Sequence, residues 1–361
     1  MRGMVMLIPL IAATTACGSR GEPVADRAGA GSAERATPSA AISAPGAVNS
    51  APDTAPTLTE FRHVNFHVGS GTVLRIHSLR GEMRSTARGQ PINFDDKRSF
   101  TIHITSAHVG LTTTDLDHLM NQYVFAYKGA PLRNLRFATK GDQLVQRGTL
   151  HKGINVSFEI TAALSATPDG RIRIHPTHIK VLGFLGKGFL DALGLTLQKM
   201  LDLRKARGIT VQGNDLLLDP ATLLPPPAIS GRVTGVRIEG NEIIQEFGSG
   251  ATRADSAGHA LAPLDSSAPN YMRFRGGTLR FGKLFMVDAD MEIIDGDPSD
   301  PFDFSIDEYD RQLVAGYSRS SASHALRVYM PDLQKAGQPL PVTPSQAKPR
   351  SHIPGAGPRS S

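Results

Sequence analysis

The sequence predicts an α+β fold in which a long curved antiparallel β-sheet wraps around one or two amphipathic helices, with a small C-terminal β module. Three observations predict it. β-branched and aromatic residues alternate with polar residues over several long segments, Gly-Asn and Gly-Asp pairs separate such segments, and two stretches carry apolar residues at helical spacing. This pattern indicates a sheet with one dry face and one wet face.

The predicted strands begin near the start of the folded region. Residues 65–68, 72–79 and 99–109 show partial alternation, and turn residues lie between them at 89–91 and 95–97. The longest strand is predicted from residue 154 to residue 165. Its apolar face consists of Ile154, Val156, Phe158, Ile160, Ala162 and Leu164.

A hairpin pattern recurs along the chain. Residues 208–217 match residues 235–244 position for position, each with a central Gly-Asn pair, and residues 135–145 form a looser copy around Gly-Asp. Such pairs between alternating apolar runs are typical of two-residue hairpin turns. We therefore expect three hairpins of one kind.

The two predicted helices have different apolar surfaces. The first helix is expected to begin at the N-cap Thr114 and to end before Gly129 and Pro131. It carries a single apolar stripe formed by Leu116, Leu119, Met120, Tyr123, Val124 and Tyr127. The second, at residues 188–204, is apolar along one side and follows a glycine-rich apolar segment at residues 181–186.

The N-terminus predicts export and lipid anchoring. Residues 1–16 combine a basic start at Arg2 with an apolar run too short to span a bilayer, which is typical of a signal peptide. Cys17 is the only cysteine and follows the small residue Ala16, as in a bacterial lipobox, although Thr14 stands where leucine is usual. We expect Cys17 to carry acyl chains such as palmitate, and the chain to face the periplasm or the outside of the cell. The alternative is an ordinary secretory leader with an incidental cysteine.

Composition shifts divide the rest of the chain. Segments rich in Ala, Pro, Ser and Gly cannot bury enough apolar surface to order themselves. The predicted organisation is a signal peptide at 1–16, a disordered tether at 17–57, a lipid-binding-like α+β domain at 58–247, a linker at 248–269, a small β module at 270–333 and a disordered tail at 334–361.

Charge and composition restrict the partners. The net charge of +6 favours anionic surfaces, whereas export and the absence of tryptophan argue against nucleic acid as a partner. One group of arginines is expected to contact lipid head groups. It consists of Arg80, Arg84 and Arg88, which are spaced four residues apart, together with Arg75. The alternative for this group is simple solubility.

Motifs for catalysis and for metals are weak. Residues 316–320 lack the final glycine of a nucleophile elbow, so we expect no enzyme, with a lipid hydrolase as a minor alternative. No cofactor is expected. Zinc at His63 and His67 is disfavoured because no compact ligand spacing recurs. Calcium at the acidic stretch 288–303 stays open, but a stiff, solvated acidic turn is favoured.

A family resemblance covers residues 104–247. The segments 130–135, 148–158, 167–173, 207–209, 216–220 and 231–238 run in the order found in the LmeA family of exported envelope proteins that bind phospholipid, and the chain resembles that family there. The resemblance implies a fold like that of tubular lipid-binding proteins, in which a twisted antiparallel sheet wraps a long helix and leaves an apolar groove. It implies no catalytic residues.

These observations together predict a lipid-anchored envelope protein that binds, and could transfer, phospholipid or another acylated molecule in an apolar groove. The alternative is a structural or assembly lipoprotein with a closed core that recognises protein or glycan partners. The expected groove lining is Leu116, Met120, Val124, Val156, Phe158, Ile160, Phe184, Phe189 and Leu193.

Overall fold

The structure is a computed structural model that describes residues 55–69, 71–182, 203–248, 261–321 and 324–340. This part of the chain is mostly β, with a large mixed sheet, two smaller sheets and a few short helices. The predicted signal peptide, Cys17 and the tether lie outside the described residues. So does the second predicted helix, apart from its last two residues.

The strands within the described ranges follow in chain order. They are β1 (Thr57–Val68), β2 (Thr72–Ser85), β3 (Ile92–Asn93), β4 (Phe100–Thr112), β5 (Leu132–Lys140), β6 (Gln143–Lys152), β7 (Ile154–Ala166), β8 (Ile172–Leu182), β9 (Ile209–Gln212), β10 (Asp215–Leu218), β11 (Ala228–Ser230), β12 (Val233–Glu239), β13 (Glu242–Phe247), β14 (Tyr271–Arg275), β15 (Thr278–Phe281), β16 (Leu284–Val287), β17 (Asp290–Asp295), β18 (Phe302–Ser305), β19 (Tyr317–Ser320) and β20 (Leu326–Met330).

Three sheets form from these strands. The large sheet has the order β12-β13-β4-β2-β1-β14-β17-β20-β19, with β11 paired to β4 and β18 paired to β1. The second sheet has the order β5-β6-β7-β8-β10-β9, and the third has the order β16-β15-β3. We call them the large, the middle and the small sheet. The C-terminal strands β14, β17, β20 and β19 therefore extend the sheet that the N-terminal strands begin.

The large sheet is mixed, whereas the sequence predicted an antiparallel one. β11 lies parallel to β4, β18 parallel to β1, and β20 parallel to β17. The pairing of β1 changes partner at His63, a residue with a φ of 48°. Residues before it pair with β14 and residues after it pair with β18, while the register of β1 with β2 is the same on both sides of His63.

The predicted hairpins are confirmed. β5–β6, β9–β10 and β12–β13 are antiparallel pairs, and the glycines at their turns, Gly141, Gly213 and Gly240, all have a φ of 61°. The predicted strand at residues 154–165 is also present, as β7. Val156, Phe158 and Ala162 are buried on its apolar face, but Ile154 at its start is half exposed.

The helices are short. They are α1 (Thr113–Leu119), which continues into a π-helical turn at Met120–Val124, α2 (Pro220–Leu223), α3 (Tyr309–Ala315) and a 3-10 turn at Leu333–Lys335. The expected N-cap Thr114 is wrong. Thr112 caps α1 instead, because its side chain accepts a hydrogen bond from the backbone amide of Asp115.

The acidic stretch matches the prediction only in part, because the exposed turn with Pro298 and Pro301 is limited to residues 296–301. Residues 290–295 form β17 and residues 302–305 form β18, where a stiff, solvated turn was expected. Met291, Ile293, Phe302 and Phe304 are completely buried. Glu292 and Asp295 are buried as well. Among the described strands, β17 lies between β14 and β20 within the large sheet, whereas β18 pairs only with β1.

Candidate functional site

An apolar cavity lies between the large sheet, the middle sheet and α1. Its volume is about 60 Å³. All but two of its lining side chains are apolar, and none carries a formal charge. The lining consists of Leu74, Leu111, Leu116, Leu119, Met120, Phe125, Leu132, Leu135, Phe137, Leu144, Gln146, Leu164, Ile172, Ile174, Leu203, Ile209, Leu216, Leu218, Pro220, Leu223, Leu224, Ile243 and Gln245.

A second apolar cavity adjoins the first along the inner face of the large sheet. Its volume is about 30 Å³, and it is lined by residues of β1, β2, β4 and β13 together with the segment that follows α2. Leu74, Leu224 and Gln245 line both cavities. The two spaces are therefore adjacent.

Two glutamines are the polar side chains in these linings. Gln146 is only 7% exposed and occupies the inner face of β6 beside Leu144. Gln245, on β13 of the opposite sheet, is half-buried and lies where the cavities adjoin. Neither side-chain amide makes a hydrogen bond to any residue in the described ranges. Sequence reasoning missed both residues, although the run Leu144-Val145-Gln146-Arg147-Gly148 already places Gln146 on the dry face of its strand.

The predicted lining residues divide into three groups. Leu116 and Met120 line the larger cavity. Val124, Val156 and Phe158 are buried and Ile160 packs at the edge of the core, but none of the four is among the lining side chains of either cavity. Phe184, Phe189 and Leu193 lie outside the described residues.

Phe158 packs against a glycine instead of lining the cavity. A Cβ atom added to Gly148 would lie 3.0 Å from the ring of Phe158 and 2.7 Å from Leu135. Both side chains therefore lie against the backbone of β6. The middle sheet supplies other lining residues that the sequence did not indicate, from β8, β9 and β10: Ile172, Ile174, Ile209, Leu216 and Leu218.

The predicted head-group arginines lie on the opposite, outer face of the large sheet. Arg75 contacts Asp115 at 2.6 Å and Glu242 at 3.2 Å, and Arg80 contacts Glu60 at 3.2 Å. Arg84 pairs with Glu82 on its own strand, and Arg88 is exposed in the following turn. Three of the four cations thus already face carboxylates.

A polar cavity of about 480 Å³ lies on this outer face. Arg62, His63, His77 and Arg80 contribute to its walls together with Glu60. The ring of His77 lies 4.9 Å from that of His108, whose Nε2 accepts a hydrogen bond from Arg237 at 3.0 Å. Burial, with His77 and Arg237 close by, lowers the pKa of His108. His108 is therefore a neutral acceptor in this network at pH 7.

The acidic stretch does not converge on one point. Asp290 pairs with Arg273, Glu292 accepts hydrogen bonds from the backbone amides of Leu264 and Asp265, and other members have separate partners. Among the described residues, no group of three or more His, Cys, Asp or Glu side chains is arranged to hold a metal ion.

One serine–histidine contact bears on the hydrolase alternative. Ser230 Oγ lies 2.6 Å from His103 Nδ1, between β11 and β4. Within the described ranges no carboxylate bonds to His103, and neither residue lines one of the three cavities. Among the described residues, this pair thus has no hydrogen-bonded carboxylate of the kind that orients the base in nucleophilic catalysis.

Comparison with known proteins gives no family. No protein-family model matches the chain, and no curated protein or solved structure matches it. The resemblance to the LmeA family thus stays a prediction. In the part of the chain that the structure describes, no helix is long and apolar enough to cross a membrane.

Proposed function

We propose that this chain is a lipid-anchored protein of the bacterial cell envelope that binds phospholipid or another acylated molecule between its large and middle sheets. The observation that carries the proposal is the pair of adjoining apolar cavities. The proposed anchor is Cys17, and transfer of the bound molecule between membranes is part of the proposal. The finer architecture that we propose is a long curved sheet wrapped around one or two amphipathic helices, of which α1 is the first.

The chemistry of the lining supports an acyl chain as ligand. Small-molecule sites are mostly apolar hollows with a few polar groups that fix orientation, and this lining has that composition. Each buried methylene gains about 0.8 kcal/mol. A chain that fills a lining without charges therefore gains affinity in proportion to its length.

The cavities must widen to accept such a chain. One water needs roughly 10–15 Å³ of space, so 60 Å³ holds only a few groups of that size. The walls between the cavities consist of Leu74, Leu224 and Gln245, whose side chains can change rotamer. Their displacement would join the two spaces into one channel along the inner face of the large sheet.

The arginines on the outer face of the large sheet would contact the membrane and not the bound molecule. Because Arg75, Arg80 and Arg84 project from the face opposite the cavities, they cannot hold the head group of a molecule whose chain lies inside. We propose that they meet the head groups of the membrane to which the protein is anchored. Since carboxylates already face them, the contribution of each is about 1 kcal/mol or less.

The test uses the full chain with Cys17→Ser, which removes the proposed anchor. The protein is incubated with vesicles of phosphatidylglycerol and phosphatidylethanolamine, recovered, and examined by native mass spectrometry. We expect bound lipid in this protein and a several-fold loss in Ile174→Phe, because Ile174 lines the cavity and a larger side chain would occupy it.

The matched control is Ile179→Phe. Ile179 lies on the same strand but is 37% exposed, so the same substitution there should leave lipid binding unchanged. Protein that takes up no lipid before either substitution would contradict the proposal.

The small cavity volume favours a second function. Spaces of about 60 and 30 Å³ are also what a closed, well-packed core retains. In that case the chain would be a structural or assembly lipoprotein that recognises protein or glycan partners through its polar surfaces. The same experiment distinguishes the two, since a closed core remains empty in every variant.

A further inference from the structure

We propose that Gln146 and Gln245 bind the carbonyl group of a neutral acyl ester inside the cavity, so that the site selects ester-bearing chains over plain hydrocarbon. This inference rests on the proposed function, and it names the class of ligand that the same site takes. Gln146 lies deep in the apolar wall of the larger cavity.

The side chain of Gln146 has no hydrogen-bond partner among the described residues. Apolar surroundings favour a ligand that offers such an amide a hydrogen bond. Gln146 is 7% exposed, lines the larger cavity and bonds to no described residue. Its neighbours across the strand pairs are Phe137 and Ile160, which offer no polar side-chain atom. The amide therefore faces the cavity with its hydrogen-bonding capacity unused.

Gln245 adds a second amide from the opposite sheet. It lines both cavities and thus lies where a chain passing from one space to the other must run. Each amide has two N–H donors and one carbonyl acceptor. An ester carbonyl accepts hydrogen bonds, so it can take an N–H from either glutamine.

The absence of charge in the lining sets the charge of the ligand. An ionised carboxylate or phosphate inside would be buried without a cation, which costs far more than a neutral ester. The charged part of any bound lipid must consequently remain outside. The fitting class is a neutral acyl ester, such as the glycerol-linked part of a phospholipid.

The test compares two ligands of nearly equal length, methyl palmitate and octadecane. Only the first contains a carbonyl. The full chain with Cys17→Ser is equilibrated with vesicles that carry equal amounts of both, and native mass spectrometry gives the ratio in which they are bound. We expect the ester to be preferred, and Gln146→Met to lower the ratio three- to tenfold. Gln245→Met should also lower the ratio of bound ester to bound hydrocarbon.

The control is Gln143→Met, the same substitution on the same strand. Gln143 bonds to the hydroxyl of Thr177 on the exposed side of the middle sheet, so the ratio should not change. Thermal unfolding of the empty protein is the second measurement. Gln146→Met should unfold at the same or a higher temperature, because no described residue bonds to the amide that it removes.

The outcomes separate the inference from the proposed function. A protein that binds both ligands in equal proportion, or whose ratio is unchanged in both glutamine variants, overturns the inference while leaving acyl binding intact. A protein that binds neither ligand overturns the proposed function, and the inference with it. A lower unfolding temperature for Gln146→Met would also overturn the inference, since it would assign the amide a structural partner.

Discussion

Asp295, at the end of β17, is a carboxyl group held away from water. Its side chain accepts hydrogen bonds from the amide of Asn270 at 2.9 Å and from the backbone amide of Asp297 at 2.9 Å. Burial, with Asp332 and Asp297 nearby, nevertheless raises the pKa of Asp295 to about 7 from an ordinary value of 3.8. The folded state thus binds this proton more tightly than the unfolded state does.

This shift predicts how stability depends on pH. A raised pKa contributes stability that is fully present below the unfolded value and is lost as the pH rises through the folded value. The free energy of unfolding should therefore fall between about pH 4 and pH 7, by roughly 4 kcal/mol from this group. Asp295→Asn should remove this part of the slope, at a cost of about 1 kcal/mol at pH 5 for a lost hydrogen bond. Urea unfolding at several pH values measures the pH dependence and the cost of the substitution at pH 5.

Asp297→Asn is the comparison for that experiment. Lys335 and Ser299 lower the pKa of Asp297, so its contribution has the opposite sign and is lost as the pH falls through its folded pKa. The substitution should leave most of the decline between pH 4 and pH 7 in place, because burial is the main cause of the raised pKa of Asp295 and the charge of Asp297 is a lesser one. If the unfolding free energy changes with pH equally in Asp295→Asn and in the parent protein, the decline does not come from Asp295.

The hairpins are the elements that the sequence predicts best, because their turns are local. Gly213 has a φ of 61° and no atom within 4 Å of the position where a Cβ would lie. A side chain there would clash with no neighbouring atom, so its cost would come only from the strain of the left-handed backbone conformation. We expect Gly213→Ala to lower the free energy of unfolding by about 1 kcal/mol, and Gly213→Asn by less, because asparagine tolerates the left-handed region. Equal losses for both variants would show that the strain is not in the backbone.

The strand pairings between distant segments are what the sequence did not predict. At His63 the partner of β1 changes from β14 to β18, two strands that lie far along the chain, and alternation alone does not identify the partner of a strand. The same limit applies to the site. Leu116 and Met120, which helical spacing assigned to the lining, are among the side chains around the cavity. Phe158 packs against Gly148 instead, because the pattern gives a face but not the neighbour on which that face packs.

At the scale of the whole molecule, the large sheet joins regions that the sequence separated at residues 248–269. Phe61 of β1 packs edge-on against Phe274 of β14 at 5.8 Å between ring centres, and Phe66 stacks on Phe304 of β18 at 5.8 Å. All four rings are buried. β1 thus depends on C-terminal strands for its pairing partners and for the cover of its aromatic side chains.

This dependence predicts the result of truncation. A chain that ends at residue 248 would leave β1 as an unpaired edge along the side that now meets β14 and β18, with Phe61 and Phe66 exposed. We expect this chain to lose cooperative urea unfolding and to aggregate, whereas a chain that ends at residue 340 should unfold like the full protein. Circular dichroism and size-exclusion chromatography measure both properties. If the chain ending at 248 unfolds cooperatively as a monomer, residues 58–247 form an independent domain, as their composition first indicated, and the aromatic contacts across β1 contribute little to its stability.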